Sequence, residues 1–491
     1  MMKDDNKTVY AYVPIGIELD LEEMLVGTSL CPDRLKLLFH QLFLSRIQVA
    51  NNRNSQSYLY DEGWVAIDSR ILKKLLTKNY CRYLEWAEEH SLIERRRDNM
   101  TGGIKFTAGA YSQQMRIPNK LLHKHGSLKH FTKTPITKHK ALKAVQSVKD
   151  EYKKRRESSK WYHLVTDTHR AIINMSNLVR FRMSEAENYL EGEIKLEGNP
   201  ERKARLHNYI HILDAINDGH LDYFIVDTFG NRLHTPITGL YSKLRDFIYF
   251  EGHENEQLIH LDIRNSQVYL LSCIMAHPAV IETVLPEFSL VKELLVVNSK
   301  QDDVSAFYKK CCDGDIYEFM SDKFKLLDIH ASQDGEFIEP IRERVKTMLI
   351  GFLYSKVKSM AKSDEYKVFI KLYPNIVKGI NGIKSLGEKQ FPFMREFYTS
   401  KHTHTYVGDS ASHKNLSRMM QLMESRIMLG LVSNSLIQMQ LMPFITIHDA
   451  FILPANHLST IQQVVQDKFI TLGLIPPKLK VTSLGMANHK L

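Results

Sequence analysis

Three short segments of this 491-residue chain carry side chains whose types and spacing could do chemistry. In the first, Leu258-Ile259-His260-Leu261 reads as a buried strand ending at Asp262, with a helix expected from Asn265 or Ser266. A carboxylate at a strand end, beside a helix N-terminus, is placed to hold a cation at a sheet edge. By itself the same arrangement is a common strand-turn-helix junction. In the second, Phe444 to Ile447 and Phe451 to Leu453 are short apolar strands with His448-Asp449 between them, which predicts a β-hairpin with a carboxylate at its tip. His-Asp pairs arise by chance in most long chains. A charge bracketed by apolar residues is less expected, because burying it is costly unless a metal or partner compensates. In the third, Ile341 to Lys356, Arg342, Lys346 and Ile350 step by four along a helix and Tyr354 continues that face. Two cations one turn apart, with no acid expected on their face, repel unless something negative such as a triphosphate sits before them. The alternative is an exposed basic helix edge. Taken together, two carboxylates on neighbouring strands meet the requirement for in-line phosphoryl transfer with two divalent ions roughly 3.5–4 Å apart. The cationic helix face supplies a phosphate clamp, Lys as a point charge and Arg in bidentate fashion.

On these residues the chain resembles the palm and fingers of the family A (DNA polymerase I-like) DNA polymerases and their relatives, the phage-type and mitochondrial single-subunit RNA polymerases. Asp262 falls on the motif A aspartate. Arg342, Lys346, Gly351 and Tyr354 match the motif B pattern, and His448-Asp449 matches motif C, in the right order. Asp227-Thr228-Phe229-Gly230-Asn231-Arg232-Leu233 resembles the Gly-Arg segment preceding motif A, with Arg232 as its arginine. The resemblance covers about residues 160–491. It implies that Asp262 and Asp449 ligate two Mg²⁺ ions, or Mn²⁺ in their place. It implies that Arg342 and Lys346 grip the phosphates of a nucleoside triphosphate, with Lys346 also protonating the pyrophosphate leaving group. Tyr354 and Ile350 then lie near the nascent base pair, and Arg232 and His448 touch the primer end of a DNA primer-template. The chain departs from the DNA-polymerase pattern at Ala450, where a Glu follows the motif C aspartate, at Ser355, where Gly follows the Tyr, and at Ile350, where a bulky aromatic stands.

Five residues after the motif A aspartate, the DNA-polymerase branch of the family keeps a Glu that crowds the ribose 2′-OH, and the RNA-polymerase branch keeps a small residue. This chain has Gln267, large enough to exclude the hydroxyl and also able to hydrogen-bond it. Its size favours a DNA product. The Asp227 segment and the His-Asp-Ala-Phe hairpin look closer to the RNA-polymerase branch, which keeps an RNA polymerase or primase as the alternative. From a different class, a non-catalytic winged-helix replication initiator with a degenerate polymerase body fits Ala450, whereas retention of Asp262, Asp449 and Lys346 argues against it. An HD-type phosphohydrolase rests on His448-Asp449 only.

The elements that must position these residues are legible in outline. Hydrophobic residues make up 43% and charged residues 25%, the balance of an ordinary globular chain, and the length suits two or three domains. No apolar run approaches a membrane helix and the N-terminus lacks a secretory h-region, so no membrane association and a cytoplasmic location are expected. Five scattered cysteines read as free thiols. Net charge is +10, concentrated between Lys120 and Lys160, where Lys124, Lys129, Lys133, Lys138, Lys140, Lys143, Lys149 and Lys153 to Arg156 meet no acid before Asp150. A single-sign stretch of that kind predicts contact with a polyanion, a solvated helix face being the alternative. Upstream, a helix over Arg34 to Val49 ends at polar residues including Asn52 and Asn54. Residues 56–118 then read as strand, helix capped by Asp68 or Ser69, helix from Tyr80 to His90, and two strands around Gly102-Gly103 that include Ile104 to Phe106. That rhythm resembles a winged helix, which binds nucleic acid or protein.

The expected architecture is α+β: a right-hand polymerase with an antiparallel palm sheet and helical fingers and thumb, plus a small N-terminal winged-helix-like domain. Its divisions are an N-terminal region 1–120, a basic connector 121–160, and a polymerase domain 161–491 with thumb at 161–215, palm at 216–275 and 411–491, and fingers at 276–410. No segment offers the spaced acids of a proofreading exonuclease. The expected activity is therefore non-proofreading nucleotidyl transfer, suited to replication of a plasmid, phage or other mobile element with other replication proteins as partners.

Overall fold

Along Leu258–Ile263 the residues Leu258, Ile259, Leu261 and Ile263 are buried while His260 and Asp262 are partly exposed, as expected of a strand whose one end opens to solvent. This strand is central to a four-stranded antiparallel sheet in the order Ile445–Ile447, Ala450–Pro454, Leu258–Ile263, Leu479–Ser483. The computed structural model describes residues 8–15, 17, 21–51, 63–98, 101–104, 112–122, 130–221, 223–325, 341–356, 359, 363–399 and 405–485. They fall into two compact units. One comprises Met1–Tyr162, Val179–Tyr223 and Gly239–Glu251; the other comprises His163–Leu178, Phe224–Thr238 and Gly252–Leu491. Together they are a mixture of helices and small antiparallel sheets.

The second unit holds the four-stranded sheet. Helix Ser266–Ala276 follows the central strand and buries nearly every side chain, from Ser266 through Val268 to Met275. An all-round apolar helix of this kind is expected only inside a packed core. Helices Asp302–Cys312 and Lys414–Ser425 pack on it, and Ile341–Tyr354 packs on Ile316–Lys325 and on Lys414–Ser425. Past Ser425 the Lys414–Ser425 helix runs directly into a wider π-helical stretch, Arg426–Ser433. Such stretches tend to occur near functional residues.

In the first unit, Tyr10–Pro14 pairs with Phe131–Pro135, so the basic 121–160 segment contributes a strand and then the helix His139–Glu157. The buried Asp33 carboxylate accepts from the amides of Thr137 (2.8 Å) and Lys138 (2.7 Å) and so fastens the start of that helix. Asp68 caps helix Ser69–Leu76 through the Arg70 amide, and helix Tyr80–Glu89 follows. A three-stranded sheet runs Val65–Ile67, Gln113–Arg116, Glu94–Arg95. Of the strand expected at Ile104 to Phe106, Ile104 forms an antiparallel bridge with Arg97 across the Gly102-Gly103 turn; Glu94–Arg95 pairs with Gln113–Arg116. Asn52, Asn54, Lys105, Phe106, Lys124 and Lys129 lie outside the described residues. Among the described residues no helix is long and apolar enough to cross a membrane.

Candidate active site

The register of the second unit's sheet brings the two aspartates to one edge. Asp262 stands directly opposite Ala450 on one side and Lys480 on the other. Opposed Cα atoms in an antiparallel pair lie about 4.5–5.5 Å apart, and Asp449 is the next residue along. Ile447 pairs with Ala450, so His448 and Asp449 form a two-residue hairpin turn, with His448 in the left-handed region at φ 58°. Burial pushes the Asp449 carboxyl above the ordinary carboxylate range. Its own backbone amide, the Ser266 hydroxyl and the Arg232 guanidinium oppose this only in part. Asp262 faces solvent in part at the strand end.

Arg232 arrives on a second hairpin. Ile225–Val226 and Leu233–His234 are its strands, and Asp227 organises its turn by accepting from the amides of Phe229 (3.0 Å), Gly230 (2.6 Å) and Arg232 (3.0 Å). The His234 ring nitrogen lies 3.1 Å from the same carboxylate. Burial works against the Asp227 charge, but His234 and these amides outweigh it and hold the carboxyl below its usual range. The His234 ring in turn meets the His448 ring edge-on at 5.4 Å, which links the two hairpins.

Helix Lys414–Ser425 clamps the Arg232 hairpin from behind. Ser425 Oγ donates to the Asn231 carbonyl at 2.6 Å, and Arg232 pairs with Glu424 at 2.7 Å. Gly230 lies so close to this helix that a Cβ there would meet Gln421 Cβ at 2.6 Å. Glu424 is 2% exposed, and its carboxyl is pushed up by burial and by the nearby Asp449 charge, against the pull of Arg232 and Gln267. It also accepts a hydrogen bond from the Gln267 amide nitrogen, while the Gln267 carbonyl oxygen accepts from Tyr354 Oη at 3.1 Å. A chain of polar contacts thus runs Tyr354, Gln267, Glu424, Arg232.

Arg342, Lys346, Ile350 and Tyr354 lie along one partly or fully exposed stripe of Ile341–Tyr354. At about 1.5 Å per residue, Arg342 is roughly 18 Å from Tyr354 along the helix. The expectation of no acid near the cations is corrected: Arg342 pairs with Glu318 at 3.1 Å and Glu343 at 3.5 Å, and Lys346 with Glu343 at 3.6 Å. Glu318 comes from the neighbouring helix, whereas Glu343 lies on the same helix, next to Arg342 and one turn before Lys346. These pairs are about half exposed, so each is worth about 0–1 kcal/mol and is readily exchanged for a stronger anion. The Arg342 guanidinium lies 5.4 Å from the Tyr317 ring centre. Burial raises the Tyr317 hydroxyl, with Arg342 opposing and Asp449 and Glu343 adding to the rise. Tyr317 therefore lies within electrostatic reach of both the Arg342 end of the helix and the hairpin carboxylate.

Glu424, Tyr317 and Gln421 were not singled out in the sequence. Glu424 carried one faint signal, an acid within the apolar register of Leu416, Met420 and Met423, which its burial explains.

Among the described residues no group of three or more His, Cys, Asp or Glu side chains is arranged to hold a metal ion. The donor set at the sheet edge is two carboxylates, one of them destabilised by burial. That set suits Mg²⁺, which takes one or two protein carboxylates and completes its shell with water and substrate phosphate oxygens.

No family model and no curated protein matches the chain. One solved structure, described as the POL domain of Pol1 from M. smegmatis in complex with DNA primer-template and dNTP, matches 70% of this chain and 73% of its own at 11% identity, with a TM-score of 0.39.

Proposed function

We propose that this chain is a template-directed nucleotidyltransferase, a non-proofreading DNA polymerase that acts on a DNA primer-template with deoxynucleoside triphosphates. The observation that carries the reading is the sheet register, in which Asp262 faces Ala450 and so lies one residue from Asp449 across a single strand pair. Asp262 and Asp449 would hold Mg²⁺ or Mn²⁺, which when bound would supply neutralisation of the triphosphate and activation of the attacking hydroxyl.

The chain's own residues do the rest. Arg342 and Lys346 exchange Glu318 and Glu343 for the nucleotide phosphates, and Lys346 carries the proton for the leaving pyrophosphate. Gln267, held at both ends of its amide by Glu424 and Tyr354, forms a fixed wall beside the sugar. Ile350 extends the Tyr354 face towards the base pair. Arg232 and His448 meet the primer end. In the first unit, residues 56–118 act as a winged-helix module that recruits the enzyme to DNA, within the replication machinery of a plasmid, phage or mobile element.

The deciding experiment is primer extension with purified protein, Mg²⁺ or Mn²⁺, and either dNTPs or NTPs. Wild type extends with dNTPs, and Asp262→Ala and Asp449→Ala do not. Extension with NTPs alone would reassign the product to RNA. A second reading, a non-catalytic DNA-binding initiator, is favoured by Ala450 and by the engagement of Arg342 and Lys346 with acids. Equal inertness of wild type and both variants on every template would establish it.

A further inference from the structure

Lys384 lies on helix Pro374–Ser385, far in sequence from every residue of the site, and is 6% exposed. Its ammonium donates to the Phe352 carbonyl and, at 2.7 Å, to the Ser355 carbonyl. Phe352 carries one of the last carbonyls of Ile341–Tyr354, the groups a helix leaves without an internal partner, and Ser355 is the residue just past its end. A cation at that end also meets the negative pole of the helix dipole. The turn it caps contains Tyr354, whose hydroxyl reaches Gln267.

The same short stretch is fastened to a third helix. Ser412 Oγ donates to the Lys384 carbonyl at 2.6 Å. The fully buried Asn415 donates to the Leu386 carbonyl at 2.7 Å and accepts from Tyr398 Oη at 2.8 Å. Asn415 opens the helix Lys414–Ser425 that carries Glu424. Lys384 therefore stands where the helix bearing Tyr354 and the helix bearing Glu424 are tied together, and those two residues grip opposite ends of the Gln267 amide.

Burial pushes Lys384 down to about 8, so holding its charge here opposes stability rather than adding to it. A methionine of similar length could fill the space without that cost. What an apolar side chain cannot do is hold the Phe352 and Ser355 carbonyls.

We propose that Lys384 is a positioning residue for nucleotide binding, which sets Tyr354 against Gln267 by pinning the carbonyl end of Ile341–Tyr354. The role in nucleotide binding rests on the polymerase reading above. The pinning itself does not.

Two measurements test it. In Lys384→Met, amide hydrogen exchange over residues 351–356 quickens about tenfold or more while the strands of the four-stranded sheet keep their protection. Unchanged exchange in that turn overturns the proposal, whether or not the protein polymerises. In primer extension, Lys384→Met raises the nucleotide KM about tenfold with kcat changed by less than about threefold, and Lys384→Arg recovers most of the loss. Combined with Tyr354→Phe, the KM effect is not additive, because both changes remove the same contact. Additive effects would show that Lys384 does not act through Tyr354. Should Lys384→Met fail to fold, Lys384→Gln, which keeps a donor without the charge, replaces it in both measurements.

Discussion

Arg232 and Glu424 face each other across 2.7 Å, one from a tight hairpin turn and the other from a helix nearly two hundred residues later, with the Glu424 side chain 2% exposed. A buried carboxylate at this spot holds Arg232 by charge and Gln267 by hydrogen bond, and it lies close enough to Asp449 for each to raise the cost of the other's charge.

Removing one member of this pair leaves a buried charge without its partner. Arg232→Met and Glu424→Leu should each lower stability by about 3–5 kcal/mol, and the double variant should lose less than the sum of the two. Urea unfolding of the three proteins measures this. Additive losses would mean that the pair is not energetically coupled.

Asp449 sets a pH dependence. A carboxyl whose folded-state pKa is raised binds its proton more tightly folded than unfolded. Its contribution to stability is complete below the unfolded value near 3.9 and is lost as pH rises through the folded value. Wild-type melting temperature should therefore fall relative to that of Asp449→Asn as pH increases from about 4 towards neutrality. Added Mg²⁺ should restore part of the wild-type loss and leave the Asn variant unmoved. Parallel melting curves for the two proteins across this range would contradict it.

Gly230 is required by space. Alanine there would meet Gln421 Cβ at 2.6 Å and Oε1 at 2.7 Å. Gly230→Ala should cost about 1–3 kcal/mol and slow primer extension by shifting Arg232. Gln421→Ala should not rescue it, because the closer contact is the Cβ that alanine keeps. Rescue by that second change would place the strain elsewhere.

Gln267 has both ends of its amide engaged, by Tyr354 and by Glu424. On the proposed function, a side chain fixed in this way would crowd a 2′-hydroxyl by its bulk. Gln267→Gly should raise incorporation of NTPs relative to dNTPs by about tenfold or more. Competition assays on one template read the ratio directly, and an unchanged ratio removes Gln267 from sugar selection.

Much of the framework was legible before any coordinates. The strand ending near Asp262, the hairpin around His448-Asp449, the helix carrying Arg342, Lys346 and Tyr354, and the Asp68 cap follow from side-chain period and turn residues. Those signals are local. They depend on hydrogen bonds and alternation within about ten residues, which is how far sequence pattern reaches without a partner. Around Gly102-Gly103 the expected turn is seen in the antiparallel bridge of Arg97 with Ile104, whereas the pairing of Glu94–Arg95 with Gln113–Arg116 comes from farther along the chain and has no local signal.

What the tertiary structure alone decided is the set of buried polar partners. The pairing of Glu424 with Arg232, the bond of Gln267 to Glu424, and the cap of Lys384 on Phe352 and Ser355 all join residues tens to hundreds of positions apart. Period says at most that such a residue falls on a buried face, as with Glu424 in the register of Leu416 and Met420, and never which distant partner it meets. Only packing removes the water, and once water is gone each charge and amide must find its partner in the protein.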